Sequence, residues 1–475
     1  MRLNNHPILN FKKNKTITFT FNGQTIKAQQ GDSIAAALHN AGIRVLSHSP
    51  SLKRPRGFFC AIGKCSSCMM QVNGIPNVKT CMVKAESGME VKSQTGWGNL
   101  YPQKPRPDYP RRNIPTLETE IAIVGAGPAG LSAAVAASQF GAKVMILEEN
   151  SKVGGQLIKQ THMFFGSKEH YAKIRGIDIG KKLIDQLSDT VEIFRETPVI
   201  GFYPPYQLAV IKKHRLYMVK AKKIIIATGA SEKMLSFPHN DLPGIYGAGA
   251  VQTLMNVYGI RPGKRVLMVG AGNIGVIVAY QLLQAGVEVA CVVEALPTIG
   301  AYQVHASKLR RCGVPILTRH TIKNPLGKDY VQGATIVELN ENWEPIEGSE
   351  QDIQVDTICL SVGLNPSIEI FSQIGCKMIN IPELGGEVAL RNHEMETSVE
   401  GIYVAGDAAS IEEASAAMLE GKLAGLDAVE KLKGSSPKIR NAKKTVRQSL
   451  KELREGPFGE KIRQGEKKMF KEAGY

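Results

Sequence analysis

Two short stretches constrain this chain more than anything else in it. "EIAIVGAGPAG" (120–130) and "RVLMVGAGNIG" (265–275) each set Gly-x-Gly-x-x-Gly between a β-branched run and a small-residue helical pattern. That spacing calls for a buried strand, a turn too tight for a Cβ, and a helix whose first amides face an anion. Each motif sits in an uncharged run, 121–142 and 266–287, long enough to span a bilayer. A parallel strand covered on both faces lacks charge for the same reason, so the glycine spacing decides against a transmembrane segment. With 475 residues and 47 glycines, the chain is too long for one core and suits an α/β protein with many strand-to-helix turns.

In the first loop Gly125 makes the turn, Gly127 lets backbone approach a pyrophosphate, and Gly130 packs helix on strand, with Pro128 and Ala129 between them. Glu148 closes the next strand, where a carboxylate can accept ribose hydroxyls. Three further segments belong with it: "VGGQL" (153–157), "IIIATGA" (224–230) and "VAGDAAS" (404–410). This constellation resembles the two-dinucleotide-binding-domain flavoproteins, whose relatives include thioredoxin reductase and the glutathione reductase group. The resemblance implies FAD lying across Gly125–Gly130, Glu148, Gly155, Gln156, Thr228, Gly229, Gly406 and Asp407, with Val199 near the adenine. In the second loop Gly270, Gly272, Asn273, Ile274 and Gly275 repeat the device, and Glu294 ends the following strand. A carboxylate there repels a 2′-phosphate, which favours NAD(H) or a plain adenine nucleotide such as ATP over NADP. An inherited fold holding nothing is the alternative.

Four of the eight cysteines crowd into one region as C-x4-C-x2-C-x12-C: Cys60, Cys65, Cys68 and Cys81. Structural zinc usually brings two C-x2-C knuckles from separate hairpins. Three thiols on one loop with a fourth downstream match the opening of a plant-type [2Fe–2S] pattern; zinc and an empty site remain the alternatives. Gly63, Ser66 and Ser67 keep the loop small, so that backbone amides can reach anionic sulfur. The other four, Cys291, Cys312, Cys359 and Cys376, are far apart in sequence, and no C-x-x-C stands where a flavin could reduce it. Cys291 and Cys359 fall in apolar strands, where a thiol is filling. His162 and His170, in "QTHMFFGSKEHY", could line a flavin ring, although a surface or hydrogen-bonded role suits them better.

The segments follow in order. Residues 1–94 read as a β-grasp ferredoxin-like domain: "TITFTF" and "QTIKAQ" form a hairpin across Asn22-Gly23, a helix fits 32–42 with Asp32 or Ser33 as N-cap, and "MMQVNG" and "MEVKSQ" are strands. A Pro/Arg-rich linker occupies 95–117. The FAD-binding domain runs over 118–243 and 365–433, with a nucleotide-type domain inserted at 244–364. A basic helical tail, 434–475, closes the chain; Ile439, Ala442, Val446, Leu450 and Leu453 form one helical face and leave the basic residues on the other. The net charge of +16 is concentrated at the ends, +8 over residues 1–60 and +7 over 434–475. No nucleic-acid module accompanies it, so it reads as a solvated or partner-facing surface. No apolar run follows a charged start, so no secretory signal is expected, and the location is expected to be cytoplasmic, at most peripheral to a membrane face.

"RPRGFFCAIGKCSSC" (54–68), the linker and the "VGAGPAG…VGGQ" module together resemble the alpha subunits of the sarcosine oxidase-like amine dehydrogenases. That group includes dye-linked L-proline dehydrogenase, hydrogen cyanide synthase and the opine oxidases. The resemblance implies a hetero-oligomer in which a beta subunit of the glycine/D-amino-acid oxidase type oxidises the amine. This chain would then carry electrons onward, and in some members FMN sits at the subunit interface. The folate-binding region of the large sarcosine oxidase subunits is not in this sequence, nor does any cysteine follow Cys376. A proline dehydrogenase-like subunit is therefore expected. A self-contained NADH:acceptor reductase and a structural subunit with idle nucleotide sites are the competing expectations.

Overall fold

Asn22 and Gly23 both take positive φ, 49° and 84°, and turn the strand Thr16–Phe21 back onto Gln24–Gln29 in full register, Thr16 opposite Gln29. Ser33 caps the helix Ile34–Asn40, its hydroxyl accepting from the Ala36 amide at 3.2 Å, and Gly42 ends it at φ 86°. Asp32 serves differently: it pairs with Arg2 at 2.5 Å. The computed structural model describes residues 1–11, 14–98, 113–164, 167–213 and 215–474; most of the expected linker lies outside them. The strands Met69–Val72 and Glu90–Thr95 form where the pattern puts them, joined by a strand, Ile75–Lys79, that the pattern does not mark.

The chain divides into two units, Met1–Arg106 with Glu232–Gly363, and Pro107–Ser231 with Leu364–Tyr475. The first unit brings the cysteine domain together with the inserted nucleotide-type domain. Its second half is a parallel sheet ordered Ile245–Gly247, Thr357–Leu360, Arg265–Val269, Glu288–Glu294, Ile316–Thr318, and an antiparallel sheet of His320–Leu326, Gly333–Glu338 and Gln351–Ile353. Leu38, Phe58 and Met70 of the cysteine domain share one buried core with Tyr246, Leu254 and Ile260 of this inserted domain. Arg44 ties the seam, donating to the Tyr246 hydroxyl at 2.9 Å and the Pro262 carbonyl at 2.8 Å, while Arg56 pairs with Asp241 at 2.8 Å. Buried His39 lies in the same seam, its Nε2 3.1 Å from the Arg261 carbonyl, and burial pulls its pKa down to about 3.

The second unit is built on a five-stranded parallel sheet ordered Val191–Phe194, Val144–Leu147, Ile121–Val124, Lys223–Ile226, Ile402–Val404. A four-stranded sheet of Val199–Tyr203, Gln207–Lys212, Arg215–Lys220 and Thr116–Glu118 accompanies it. The helix Pro128–Gln139 lies tightly on Ala414–Lys433, because Gly421 and Gly425 offer no Cβ to the carbonyls of Ala129 and Ala133.

The tail is two helices, Pro437–Leu453 and Glu460–Glu472, the second beyond what the periodicity marks. Ile439 and Leu450 are buried as the periodicity requires. Not all the basic residues face solvent, however. Lys443 is buried among Asp427 (2.6 Å), Glu430 (2.8 Å) and Glu394 (2.9 Å), because three carboxylates there outweigh the cost of desolvating one ammonium. Among the described residues no helix is long and apolar enough to cross a membrane.

Candidate cofactor sites

The cysteine loop is shaped by backbone that most residues avoid: Ala61 and Gly63 have φ 56° and 69°. A Cβ on Gly63 would stand 3.0 Å from the Met82 side chain, and the Lys79 ammonium donates to the Gly63 carbonyl. Thr80 anchors the other end, its hydroxyl donating to the Cys68 carbonyl at 2.7 Å. Cys60, Cys68 and Cys81 are buried and Cys65 half-buried. Side-chain contacts link Cys60 to Cys65 and Cys81, and Cys81 to Cys68. Amides aim at the sulfurs: those of Cys65 and Ile62 at Cys60, and that of Ser67 at Cys65. The Cys65 contact pulls Cys60 down and the Cys81 contact pulls Cys68 down, while the Cys60 contact pushes Cys65 and Cys81 up.

Among the described residues no group of three or more His, Cys, Asp or Glu is arranged around a single-ion position. The contacts run from Cys65 through Cys60 and Cys81 to Cys68, joining all four sulfurs. Four mutually linked sulfurs under loop amides fit an anionic iron–sulfur cluster.

At the first glycine loop, Gly125 has φ 103°, and a Cβ on it would meet the Ala227 carbonyl at 2.4 Å. A Cβ on Gly130 would lie 2.0 Å from the Gly125 carbonyl. Gly127 caps the helix Pro128–Gln139 with no side chain over its first amides, and Ala129 is buried in the first turn. Gly155, at φ 53°, faces Gly127 so closely that a Cβ would reach its Cα at 2.7 Å, and Gln156 is exposed beside it. Glu148 pins the loop: it accepts from the Ala126 amide at 2.8 Å, and from the Asn150 amide and side chain, both at 2.8 Å. Val199 opens the neighbouring strand, next to Thr197, whose amide donates to the Glu148 carbonyl at 2.8 Å. Thr228 and Gly229 follow the strand Lys223–Ile226, with the Thr228 hydroxyl donating to the Ser367 carbonyl at 2.9 Å.

Gly406 and Asp407 follow the strand Ile402–Val404. Desolvation raises the Asp407 carboxyl to about 7, with Glu420 and Glu412 adding to the rise against a lowering hydrogen bond from the Glu412 amide. These residues gather at the carboxyl ends of parallel strands, the edge at which this topology binds nucleotides. An uncapped helix start, glycine-only backbone and an acidic anchor fit a dinucleotide such as FAD. Sequence reasoning missed Glu420, whose Oε2 accepts the Gly406 amide at 2.9 Å; a lone carboxylate inside "ASAAMLEGKLAG" was the available signal.

The second loop repeats this geometry. Gly270 has φ 104°, and Cβ atoms on it and on Gly275 would lie 2.2 Å and 2.1 Å from carbonyl oxygens. Gly272 caps the helix Asn273–Gln284 with no side chain over it, and space is open around it. Glu294 accepts from the Ala271 amide at 2.7 Å and the Leu296 amide at 3.0 Å. Asn273 accepts from the Tyr302 amide at 2.9 Å, while Ile274 is exposed. His162 stacks on Phe164 with ring centres 5.6 Å apart, and His170 lies in the short helix Lys168–His170. Cys291, Cys359 and Cys376 are buried and Cys312 is exposed; burial pushes Cys291 to about 11.

Residues 119–421 match the family model of pyridine nucleotide-disulphide oxidoreductases, and residues 14–96 match that of the 2Fe-2S iron-sulfur cluster binding domain. The chain is 25% identical over 423 residues to the sarcosine oxidase alpha subunit of Corynebacterium sp. (strain P-1), covering 84% of this chain and 42% of that one. An opine oxidase subunit of Agrobacterium tumefaciens (strain Ach5) is 28% identical over 334 residues, 66% of each chain. This chain spans less than half the length of the sarcosine oxidase alpha subunits it matches. The L-proline dehydrogenase structure from P. horikoshii shares the fold, with a TM-score of 0.71, 24% identity, and coverage of 93% of this chain and 79% of that one. With the family model covering well over half of its length, this chain belongs to the pyridine nucleotide-disulphide oxidoreductases, as an FAD oxidoreductase carrying a [2Fe–2S] domain at its N-terminal side.

Proposed function

We propose that this chain is the electron-transfer subunit of a flavin-dependent amine or amino-acid dehydrogenase of the L-proline dehydrogenase type. Bound FAD exchanges electron pairs and a bound [2Fe–2S] cluster single electrons, so a chain that holds both can split a pair into single steps. The residues of this chain have holding roles. Gly127 and the amides after it receive the pyrophosphate, Glu148 the ribose, and Asp407 the ribityl chain, while Thr228 and Gly229 border the same strand edge. Cys60, Cys65, Cys68 and Cys81 are the thiolate ligands, and loop amides stabilise their charge.

The reading is carried by the co-occurrence, in one chain, of four linked thiols under aimed amides and a pinned dinucleotide loop. It is supported by the relatives, which are named as subunits of sarcosine oxidase and opine oxidase. Amine oxidation is assigned to a partner beta subunit of the glycine/D-amino-acid oxidase type, with FMN at the interface as in some members of the group. A second reading rests on the second loop. Gly272 stands open and Glu294 is pinned, so NAD(H), or ATP as a structural ligand, fits there, and NADH could feed the flavin directly.

One experiment separates the two readings. The chain is purified anaerobically, its visible spectrum recorded, and NADH or L-proline added with and without a co-expressed partner. The first reading expects flavin and cluster bands that bleach with L-proline only when the partner is present. Rapid bleaching of the isolated chain by NADH would overturn it in favour of the second.

A further inference from the structure

The tail, 434–475, lies outside the span of the family model, yet it delivers a guanidinium beneath the Gly406–Asp407 turn. Arg454, at the end of the helix Pro437–Leu453, is 6% exposed. Its Nη2 donates to Glu420 Oε1 at 2.6 Å and to Glu412 Oε1 at 2.5 Å, its Nε to Glu412 Oε2 at 3.0 Å, and its Nη1 to Glu466 Oε1 at 2.7 Å. Glu420 is 1% exposed, and its second oxygen accepts the Gly406 amide. Arg391, also buried, reaches Glu466 at 3.2 Å but stands 3.8 Å from Glu420. Three carboxylates thus meet two guanidiniums, and only Arg454 contacts all three within hydrogen-bonding distance. Burial raises the Glu420 carboxyl, and the two arginines oppose that rise.

We propose that Arg454 is a positioning residue for the flavin site: by orienting Glu420, it fixes the Gly406 amide and so the Asp407 carboxyl that meets the bound nucleotide. This rests on the assignment of Asp407 to FAD made above. Without Arg454, Glu420 Oε1 keeps only Arg391 at 3.8 Å and the Ser410 hydroxyl at 3.4 Å, so the carboxylate loses the short contact that orients it and the hydrogen bond to the Gly406 turn weakens. A fork of this geometry is not replaced by lysine, which offers a point charge in place of a planar set of donors.

The test is a double-mutant cycle on the full chain. FAD is stripped and rebound, and its dissociation constant is read from flavin fluorescence for wild type, R454Q, D407A and the double variant. Hydrogen exchange over the Gly406–Ser410 segment is measured alongside. The expected result is FAD binding weakened about tenfold by R454Q, the scale of a lost buried charged hydrogen bond. Little further weakening is expected once Asp407 is gone, and exchange at Gly406–Ser410 should rise.

Unchanged FAD affinity in R454Q with weakened affinity in D407A overturns the positioning role and leaves the flavin assignment standing. Unchanged affinity in D407A overturns the assignment itself. Additive losses in the double variant mean that Arg454 acts elsewhere, and also refute the proposal. Should R454Q not fold, R454K decides the matter: faster exchange at Gly406–Ser410 with weaker FAD binding upholds the proposal, and wild-type values of both overturn it.

Discussion

Replacing Gly421 with alanine adds one methyl group where the second unit has no room for it. The new Cβ would stand 2.0 Å from the Ala129 carbonyl oxygen. Ordinary contact begins at about 3.4 Å, so the helices Pro128–Gln139 and Ala414–Lys433 must separate locally by roughly 1.4 Å. Two effects oppose each other. Alanine is favoured over glycine in a helix interior by about 1 kcal/mol, while overpacking a rigid contact costs about 1–3 kcal/mol, and here the obstacle is backbone. Because the obstacle is backbone, the packing term should win, giving a net loss of up to about 2 kcal/mol.

The displacement has a functional direction as well. The first helix carries the glycine loop at its start, and the second carries Glu420 next to the substituted position. FAD affinity should therefore fall together with stability. Urea unfolding of the flavin-free protein and FAD titration measure the two effects. Gly425, where the obstructing carbonyl is 2.4 Å away, should show the smaller loss on the same substitution. A stabilised G421A protein would mean that helix propensity dominates and the close backbone contact does not exist in solution.

Four other outcomes are expected. Substituting Cys68 with serine should remove essentially all cluster iron and the associated visible bands, whereas the same change at buried Cys291 should leave them intact; iron and sulfide analysis distinguishes the two. K443M removes the buried cation shared by Asp427, Glu430 and Glu394, leaving Asp427 near Lys431 at 3.6 Å and Glu394 with Arg447, and thermal unfolding should register a loss of up to about 3 kcal/mol, the low end for a broken buried pair. In the flavin-free protein Asp407 binds its proton up to about pH 7, against 3.8 for the ordinary carboxyl. The native state then holds more protons than the unfolded one between those values, so stability should fall as pH rises from about 4 to 7. The fall amounts to roughly 4 kcal/mol at most, and D407N should flatten that slope. Finally, isothermal titration should find NADH bound more tightly than NADPH at the second loop, with E294A narrowing the difference while weakening both, since Glu294 also holds the Ala271 amide.

What was legible in the sequence was local. Asn22-Gly23, the Ser33 cap and the two glycine loops each depend on residues a few positions apart, where turn chemistry and steric exclusion leave one conformation open. The cysteine spacing was legible for the same reason, because one curled loop gathers three of the four thiols. Tail periodicity identified the buried face with Ile439 and Leu450, but it placed Lys443 on the wet side. Helical spacing says which residues share a face and not what a neighbouring helix brings to it.

By itself, then, the amino-acid order determined the α/β fold, both glycine loops and the thiol cluster. Only the folded chain decided that the cysteine domain shares a core with residues 232–363, and that Arg454 and Lys443 lie among carboxylates. Those arrangements join positions tens to hundreds of residues apart. A buried charge becomes tolerable only when long-range packing delivers its counter-charges, and no local pattern records that delivery.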